Sequence, residues 1–324
     1  MTSTKKIKWG ILGLGKIAHA FAEDLDKVTD AELHAVASRS VEKADVFGHE
    51  FGVAKRYNSY EELAKDPEID AIYIATPHSS HKENSILCLQ HKKAVLCEKP
   101  FAMNHHEVAE MIQKAKENDV LLMEALWTRF LPHYQYVINL VTSEAFGKLK
   151  TLHADFGFYR KFDSESRLFK KEVGGGSLLD IGIYPIFAAL STLGVPKVID
   201  AKASFFENGA DADCFMTFHY DESIAYLKSS LIEPLSNEAI FAFEKAIVTI
   251  HKPFHGPTSI TILKDGKPET LDFNYHTLGY SFEIEHFNNL LFNNRKESDL
   301  MTFEFSKDLI RTLDSVRKII GLEY

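Results

Sequence analysis

The stretch Trp9-Gly10-Ile11-Leu12-Gly13-Leu14-Gly15-Lys16-Ile17-Ala18 constrains this chain more than any other. An apolar, β-prone run ends in a Gly-x-Gly-x-x-Ala turn, and an amphipathic segment follows. In such a turn the first glycine permits the tight bend, the second lets the backbone approach a pyrophosphate, and a small third residue lets helix pack on strand. The pyrophosphate then rests on the N–H groups of the helix N-terminus. The strand before, the helix after and a second strand ending near Val36 supply the context this pattern needs. Gly13, Leu14, Gly15, Lys16 and Ile17 are therefore the expected phosphate-binding residues.

Strand and helix patterns alternate through the first part of the chain. Strand-like runs fall at Lys6 to Leu12, Leu33 to Ser38, Ala71 to Ala75, Ala94 to Cys97 and Val120 to Met123. Helical patterns lie between them, at Lys16 to Val28, Val41 to Phe51, His81 to His91 and His105 to Asn118. Such alternation implies right-handed βαβ units on a parallel sheet. After about Leu126 the pattern changes. Strand-like runs at Leu149 to Tyr159, Val198 to Phe206, Cys214 to Tyr220, Ile224 to Leu231, Ala246 to His251 and Ser259 to Leu263 are separated by hairpin-like turns such as Asp265-Gly266-Lys267. Helical patterns return at Leu178 to Leu193, Phe282 to Phe292 and Phe305 to Ile320. The expected fold is α/β: an N-terminal Rossmann domain with a doubly wound parallel sheet over 1–126, then an α+β substrate-binding and oligomerisation domain with an open, mostly antiparallel sheet over 127–324. An antiparallel sheet often leaves one face without helices, so a homodimer or higher homo-oligomer is expected.

With 324 residues the chain exceeds what one core usually serves. Its net charge of −9 argues against a nucleic-acid or anionic-membrane surface. No apolar run is expected to cross a bilayer, and no signal-peptide core precedes the first strand. Cys88, Cys97 and Cys214 are odd in number and widely spaced, which fits neither a disulfide framework nor a zinc site. A cytoplasmic location and no bound metal are the corresponding expectations.

Three clusters carry chemistry. Cys97-Glu98-Lys99-Pro100 ends a strand at the edge where open α/β sheets bind ligands, which aims a lysine at the nicotinamide end of a cofactor. Thr76-Pro77 follows another strand in the same way. In Gly174-Gly175-Gly176-Ser177-Leu178-Leu179-Asp180-Ile181-Gly182-Ile183-Tyr184-Pro185, three glycines offer a backbone that can approach a ligand. Asp180 and Tyr184 would share a face of a continuous helix, although Pro185 makes that continuity doubtful. Met123-Glu124-Ala125-Leu126-Trp127-Thr128-Arg129-Phe130 lies at the junction of the two domains, with Trp127 either a hinge residue or a substrate wall.

The end of the second strand reads Ala37-Ser38-Arg39-Ser40. NAD-specific Rossmann domains carry an acid here for the ribose 2′-hydroxyl. A hydroxyl beside a guanidinium instead suits a 2′-phosphate through charge-assisted hydrogen bonds. NADP is the expected cofactor, with NAD the alternative.

Together these segments resemble the Gfo/Idh/MocA oxidoreductase family over essentially the whole chain. The resemblance is strongest to the dimeric dihydrodiol dehydrogenase and NADP-dependent aldose (xylose) dehydrogenase branch. The inositol dehydrogenase pattern has a histidine four residues after the aspartate, where this chain has Tyr184, which speaks against the inositol branch. The resemblance implies that Thr76, Pro77 and His81 line the cofactor, with Glu98 and Lys99 beside them. It also implies that Tyr184 and Lys99 form the catalytic pair. Tyrosine has a reference pKa of about 10, and a nearby ammonium favours its phenolate. Tyr184 is thus the expected general acid/base and Lys99 its activator, the reverse assignment staying open. Trp127, Arg129, Arg167 and Asp180 are the expected substrate wall. The expected reaction is NADP-dependent hydride transfer to or from a sugar, polyol or trans-dihydrodiol carbinol carbon. A nucleotide-sensing binding protein and an NAD-assisted lyase are the alternatives.

Overall fold

The computed structural model describes residues 5–324, so the first four residues of the expected Rossmann domain lie outside the described residues. The chain divides into two compact units. One runs to Phe130 and takes back His276–Lys307; the other comprises Leu131–Tyr275 and Asp308–Tyr324.

The first unit is built from β1 (Ile7–Leu12), α1 (Lys16–Leu25), β2 (Ala31–Ala37), α2 (Val41–Glu50), β3 (Lys55–Tyr57), α3 (Tyr60–Lys65), β4 (Ala71–Ile74), α4 (His81–Gln90), β5 (Ala94–Glu98), α5 (His105–Asn118) and β6 (Leu122–Ala125). The strands form a six-stranded sheet in the order β3-β2-β1-β4-β5-β6, every adjacent pair parallel. β4, β5 and β6 are buried throughout, as strands covered on both faces by helices must be. The order reverses at β1, which pairs with β2 on one side and β4 on the other. A ligand crevice opens at the carboxyl ends of strands at such a point.

Two elements of the first unit escaped the sequence reading, as did two strands of the second, Ala239–Phe243 and Lys267–Leu271. β3 is a three-residue edge strand of Lys-Arg-Tyr with no apolar alternation. α3 carries a signal that was legible: Ser59 accepts the N–H of Glu62, a Ser-x-x-Glu helix start. β6 also begins two residues later than expected. α5 ends on Asp119 in the left-handed region (φ 52°), and the Val120 N–H returns to the Ala115 carbonyl, which leaves the strand to start beyond it.

The segment 276–307, expected in the second domain, belongs to the first unit. Its helix follows ten strands and helices of the second unit in sequence, so we number it α8 (Tyr280–Phe292), after α6 and α7 below. Asp24 of α1, fully buried, accepts the N–H groups of Leu278 at 2.9 Å, Tyr280 at 2.8 Å and Ser281 at 3.2 Å, and so caps the start of α8. Trp9 of β1 donates its indole N–H to Asn288 Oδ1 at 3.1 Å and packs on Phe287. Neither anchor has a local sequence signature, because each joins residues more than 250 positions apart.

The second unit contains α6 (Pro132–Thr142), β7 (Leu149–Gly157), α7 (Ile183–Leu193), β8 (Val198–Phe205), β9 (Asp211–His219), β10 (Ile224–Ser230), β11 (Ala239–Phe243), β12 (Ile247–Ile250), β13 (Ile260–Lys264) and β14 (Lys267–Leu271). Its eight-stranded sheet runs β14-β13-β12-β11-β7-β10-β9-β8, antiparallel except between β7 and β10. β13 and β14 join through Asp265-Gly266, both with positive φ, the hairpin the sequence indicated. One sheet face is buried, with Leu152, Ala154, Leu227, Met216, Phe241 and Val248. The other leaves Val198, Phe215, Ile247 and Leu263 exposed, as expected of an incompletely covered sheet. The last helix, α9 (Phe303–Ile320), is divided between the units after Lys307.

One expectation is corrected. The helical stretch Lys171–Leu193 has the length and apolarity to cross a membrane, yet its apolar 18-residue window is almost entirely buried within the protein. Its apolarity is that of a core helix.

The cap on α8 gives a direct test. Asp24→Ala removes the acceptor of two buried N–H groups and one half-buried one, so a loss of about 2–3 kcal/mol is expected. Thermal unfolding should show the drop, whereas a change below about 0.5 kcal/mol would mean that α8 is held without this cap.

Candidate active site

In the first unit the glycine turn lies where β1 gives way to α1. Gly13 has φ +91°, and a Cβ there would sit 2.9 Å from both the Ala75 carbonyl oxygen and Thr76 Cγ2. Gly13 therefore lets the tips of β1 and β4 close together. Gly15 is different: a Cβ there would meet no atom of the chain. Internal packing does not require that glycine, and the open space above it fits the close approach of a pyrophosphate. Gly15 also starts α1 without a side-chain cap, so the first-turn N–H groups of Lys16 and Ile17 face the same space as a helix N-terminus does. Ala18 is fully buried, as the helix–strand contact needs. Leu14 and Ile17 are half-buried, and Lys16 is exposed.

Ser38 and Arg39 follow β2. Ser38 is buried, and its Oγ accepts the Ser40 N–H at 3.2 Å. Arg39 is exposed immediately before Ser40, whose side chain caps α2. Thr76 and Pro77 follow β4 and are half-buried. His81 lies deeper than the sequence suggested. Its ring is fully buried, with Nδ1 2.8 Å from the Pro100 carbonyl and Nε2 2.9 Å from the Thr76 carbonyl. It braces the loops after β4 and β5 from behind rather than presenting a ring edge to a ligand.

Lys99 is half-buried at the end of β5, and the Lys99–Pro100 peptide is cis. Glu98 is turned into the unit: it accepts the Tyr73 hydroxyl through one oxygen and the Lys99 N–H through the other at 3.1 Å. Tyr73 in turn stacks on Phe21 at 3.6 Å. These bonds hold the backbone that carries Lys99. Glu124 of β6, missed as a site-supporting residue, accepts the Phe101 N–H at 3.0 Å and fixes the chain just beyond Pro100. Burial pushes its carboxyl up to about 7.

Trp127 stacks on Tyr280 with ring centroids 4.6 Å apart, at the start of α8. Arg129 donates Nε–H to the Leu300 carbonyl at 3.2 Å, so its guanidinium helps hold 276–307 in place. The expected substrate wall thus includes one residue with a clear structural duty.

In the second unit the glycine-rich segment serves the chain itself. A Cβ on Gly175 would lie 2.7 Å from the carbonyl oxygens of Arg167 and Lys170. Gly176, at φ +130°, passes against Asp211. The expected approach of this backbone to a ligand is replaced by close packing on its own turn. Asp211, fully buried, accepts the Ser177 hydroxyl at 2.8 Å and the Leu178 N–H at 2.6 Å. Burial pushes its carboxyl up to about 6.

Those bonds start a π-turn, Leu178–Gly182, which runs directly into α7. The doubt raised by Pro185 is resolved there. Pro185 is the third residue of α7, just past the π-turn, and the helix continues through it despite its missing N–H. Ile181 buries against Phe169 and Leu231. Asp180 is nearly buried and accepts Arg167 Nη2 at 3.4 Å, while the Arg167 side chain is half-exposed. Tyr184 is buried in an aromatic cluster with Phe156 at 5.8 Å and His255 at 4.7 Å. His255 was not anticipated, because it sits in a loop about 70 residues after Tyr184 with no motif around it.

A glycine turn at the reversal point of a β3-β2-β1-β4-β5-β6 parallel sheet, with a lysine at the tip of β5, defines the nucleotide-binding unit of a nicotinamide-dependent oxidoreductase. The chain belongs to the Gfo/Idh/MocA oxidoreductase family. Residues 7–126 match that family's NAD-binding Rossmann domain and residues 134–249 its C-terminal domain. The trans-1,2-dihydrobenzene-1,2-diol dehydrogenase of Xenopus tropicalis is 36% identical over 330 aligned residues, covering 98% of this chain and 99% of the relative. The scyllo-inositol 2-dehydrogenase (NADP(+)) IolU of Bacillus subtilis (strain 168) is 34% identical, covering 98% of each chain. The fold is shared with an aldose-aldose oxidoreductase from Caulobacter crescentus, at a TM-score of 0.90, 22% identity and 98% coverage of both chains. With an inositol dehydrogenase among the relatives, Tyr184 does not by itself set inositol aside.

Glu124 gives a pH-dependent test. Its folded-state pKa near 7 exceeds the ordinary carboxyl value of 4.5, so the folded protein holds a proton that the unfolded chain releases. The stability this contributes is present below about pH 4.5 and is lost as pH rises through 7. Glu124→Gln, which keeps an acceptor for Phe101, should flatten this decline and make the variant more stable than wild type at pH 8, by up to about 3 kcal/mol. Parallel pH profiles of thermal unfolding for the two proteins would overturn the assignment.

Proposed function

We propose that this chain is an NADP-dependent oxidoreductase of secondary alcohols on sugars, polyols or dihydrodiols. The observation that carries the reading is the placement of Lys99 at the carboxyl end of β5, in the same unit as a Gly15 whose missing side chain leaves room for a pyrophosphate. The names of the relatives agree: one acts on a dihydrodiol and one on an inositol. Bound nicotinamide would supply the hydride acceptor or donor at the carbinol carbon.

The chain's residues then have separable tasks. Gly13, Gly15 and the first turn of α1 hold the pyrophosphate. Thr76 and Pro77 flank the nucleotide, with His81 behind them. Tyr184 takes the hydroxyl proton as the alcohol becomes a ketone, and returns it in the reverse direction. Lys99 supplies the positive charge that favours the phenolate. Asp180 and Arg167 offer an acceptor and a donor to substrate hydroxyls, and Trp127 offers an aromatic wall.

A substrate panel of sugars, inositols and dihydrodiols, followed by nicotinamide absorbance with NADP and NAD, tests the activity. Tyr184→Phe keeps the ring and removes the proton carrier, so kcat should fall about 10²-fold or more with NADP binding unchanged. Activity within about threefold of wild type would remove Tyr184 from the role.

The cofactor preference follows from Ser38 and Arg39, which replace the acid that selects NAD, and one relative carries NADP(+) in its name. NADP should bind about ten- to a hundredfold more tightly than NAD, the worth of one charged hydrogen-bonded contact, and Arg39→Ala should lose most of that preference. Equal wild-type affinities for the two nucleotides would refute it.

A further inference from the structure

The π-turn Leu178–Gly182 carries Asp180 and runs directly into α7, whose second residue is Tyr184. The turn is gripped at both ends by β9 and β10. At its start, Asp211 Oδ2 accepts the Ser177 hydroxyl at 2.8 Å and the Leu178 N–H at 2.6 Å. The single hydroxyl proton of Ser177 goes to Asp211, so Ser229, 3.1 Å away, is the donor to Ser177. At the other end, Gly182 passes so close to Ser229 that a Cβ there would lie 2.9 Å from Oγ. Ser177, Asp211 and Ser229 are all fully buried, which strengthens the bonds between them.

Capping alone does not call for an ionisable group here. A neutral amide can accept the same two donors, whereas a carboxylate in the interior carries a desolvation cost. What the carboxylate adds is strength, because a bond to an ionised acceptor is roughly twice as strong as a neutral one. A π-turn is a place that uses such strength, since its extra residue decides where the following side chains point. The second carboxylate oxygen, Oδ1, has no hydrogen-bond partner among the described residues. A proton taken up on Oδ1 therefore finds no acceptor, and one taken up on Oδ2 competes with the two donors already there. Protonation weakens the clamp by either route.

We propose that the Asp211 carboxylate is a positioning residue for the reaction, fixing through this clamp the π-turn that sets where Asp180 and Tyr184 stand. It acts through Ser177 and Leu178. Burial pushes its carboxyl up to about 6, so the clamp passes from charged to neutral within the range where turnover can be followed. The charged and titratable groups around it are Asp213 and Cys214 of β9, Asp180 with its partner Arg167, and, from α9 and just beyond it, Arg317 and Tyr324. Burial raises both the Cys214 thiol and the Tyr324 hydroxyl, which keeps them neutral across that range. The two arginines stay charged throughout.

This role rests on the reading of Tyr184 as the proton carrier, and the experiment separates the two. The probes are scyllo-inositol and trans-1,2-dihydrobenzene-1,2-diol, each oxidised with NADP from about pH 5 to about pH 8. Asp211→Asn keeps the size and an acceptor, and holds the clamp neutral at every pH. Its kcat should lie about tenfold below wild type at the alkaline end, the scale of a small misplacement of reacting groups. It should converge on wild type at the acid end, where the wild-type carboxyl is protonated too. The ratio of the two kcat values cancels the titration of Tyr184 and Lys99, which both proteins share. Ser177→Ala removes a donor that favours the carboxylate, so the acid limb of its kcat profile should move to higher pH. A ratio that is constant with pH, or an acid limb unmoved in Ser177→Ala, would overturn the proposal. Amide hydrogen exchange across 177–184 at the alkaline end reads the clamp without turnover. Exchange there should be about tenfold faster in Asp211→Asn, the difference between a charged and a neutral bond, and equal protection would equally overturn it. NADP affinity and thermal unfolding identify a folding defect in Asp211→Asn, and in that event Ser177→Ala decides. Tyr184→Phe serves as the control. Full turnover in that variant refutes the proton-carrier assignment, while hydrogen exchange still judges Asp211.

Discussion

β1 is the strand on which the first unit depends. It pairs with β2 and β4, and its tip reaches β4 only because Gly13 carries no side chain against the Ala75 carbonyl. A Cβ there would force the two strand ends apart by several tenths of an ångström or more. The same strand carries Trp9, whose indole is satisfied by Asn288 of α8. One strand thus positions the nucleotide turn and anchors the segment that returns from the far end of the chain.

The two catalytic candidates are held by different physics. Lys99 stands on a backbone fixed by carboxyls: Glu98 binds its N–H and Glu124 the N–H of Phe101. Buried carboxyls are expensive to ionise, and Glu124 shows that cost in a pKa raised to about 7. Glu283 of α8, fully buried, is likewise pushed well above the ordinary carboxyl range by burial and by the negative charges of Glu98 and Asp24. Tyr184 is instead placed by helix geometry and aromatic packing. Asp211 caps the π-turn that leads into α7, Ile181 buries, and the rings of Phe156 and His255 close over the phenol ring. π-turns of this kind recur at functional sites because one extra residue re-aims the side chains that follow.

Much of the fold was legible from period and punctuation. β1, β4 and β5 read as apolar runs, α5 was recovered from His105 to Asn118, and the Asp265-Gly266 hairpin was clear. These are local signals, carried by residues within one element. β3, with no apolar alternation, had none. The candidate site was legible where a motif sits at a strand end, as at Gly13, Gly15, Ser38, Thr76 and Lys99. His81, Glu98 and Arg129 were legible as polar residues near a site, but their bonds turn them toward the chain's own backbone.

The sequence by itself determined that a nucleotide-binding βαβ unit comes first and that a mainly antiparallel sheet follows, and it singled out Lys99 and Tyr184 as the candidates for moving charge and protons. Those conclusions rest on hydrophobic period, on glycine's lack of a side chain and on the ionisation chemistry of two side chains. Tertiary structure decided that 276–307 rejoins the first unit, through a buried aspartate cap and an indole hydrogen bond across more than 250 residues. It also decided that the glycines before Tyr184 serve their own turn and that the His255 ring packs at a tilt against the phenol ring. Each depends on which distant groups become neighbours once the sheets form, and no periodicity in a linear chain records that.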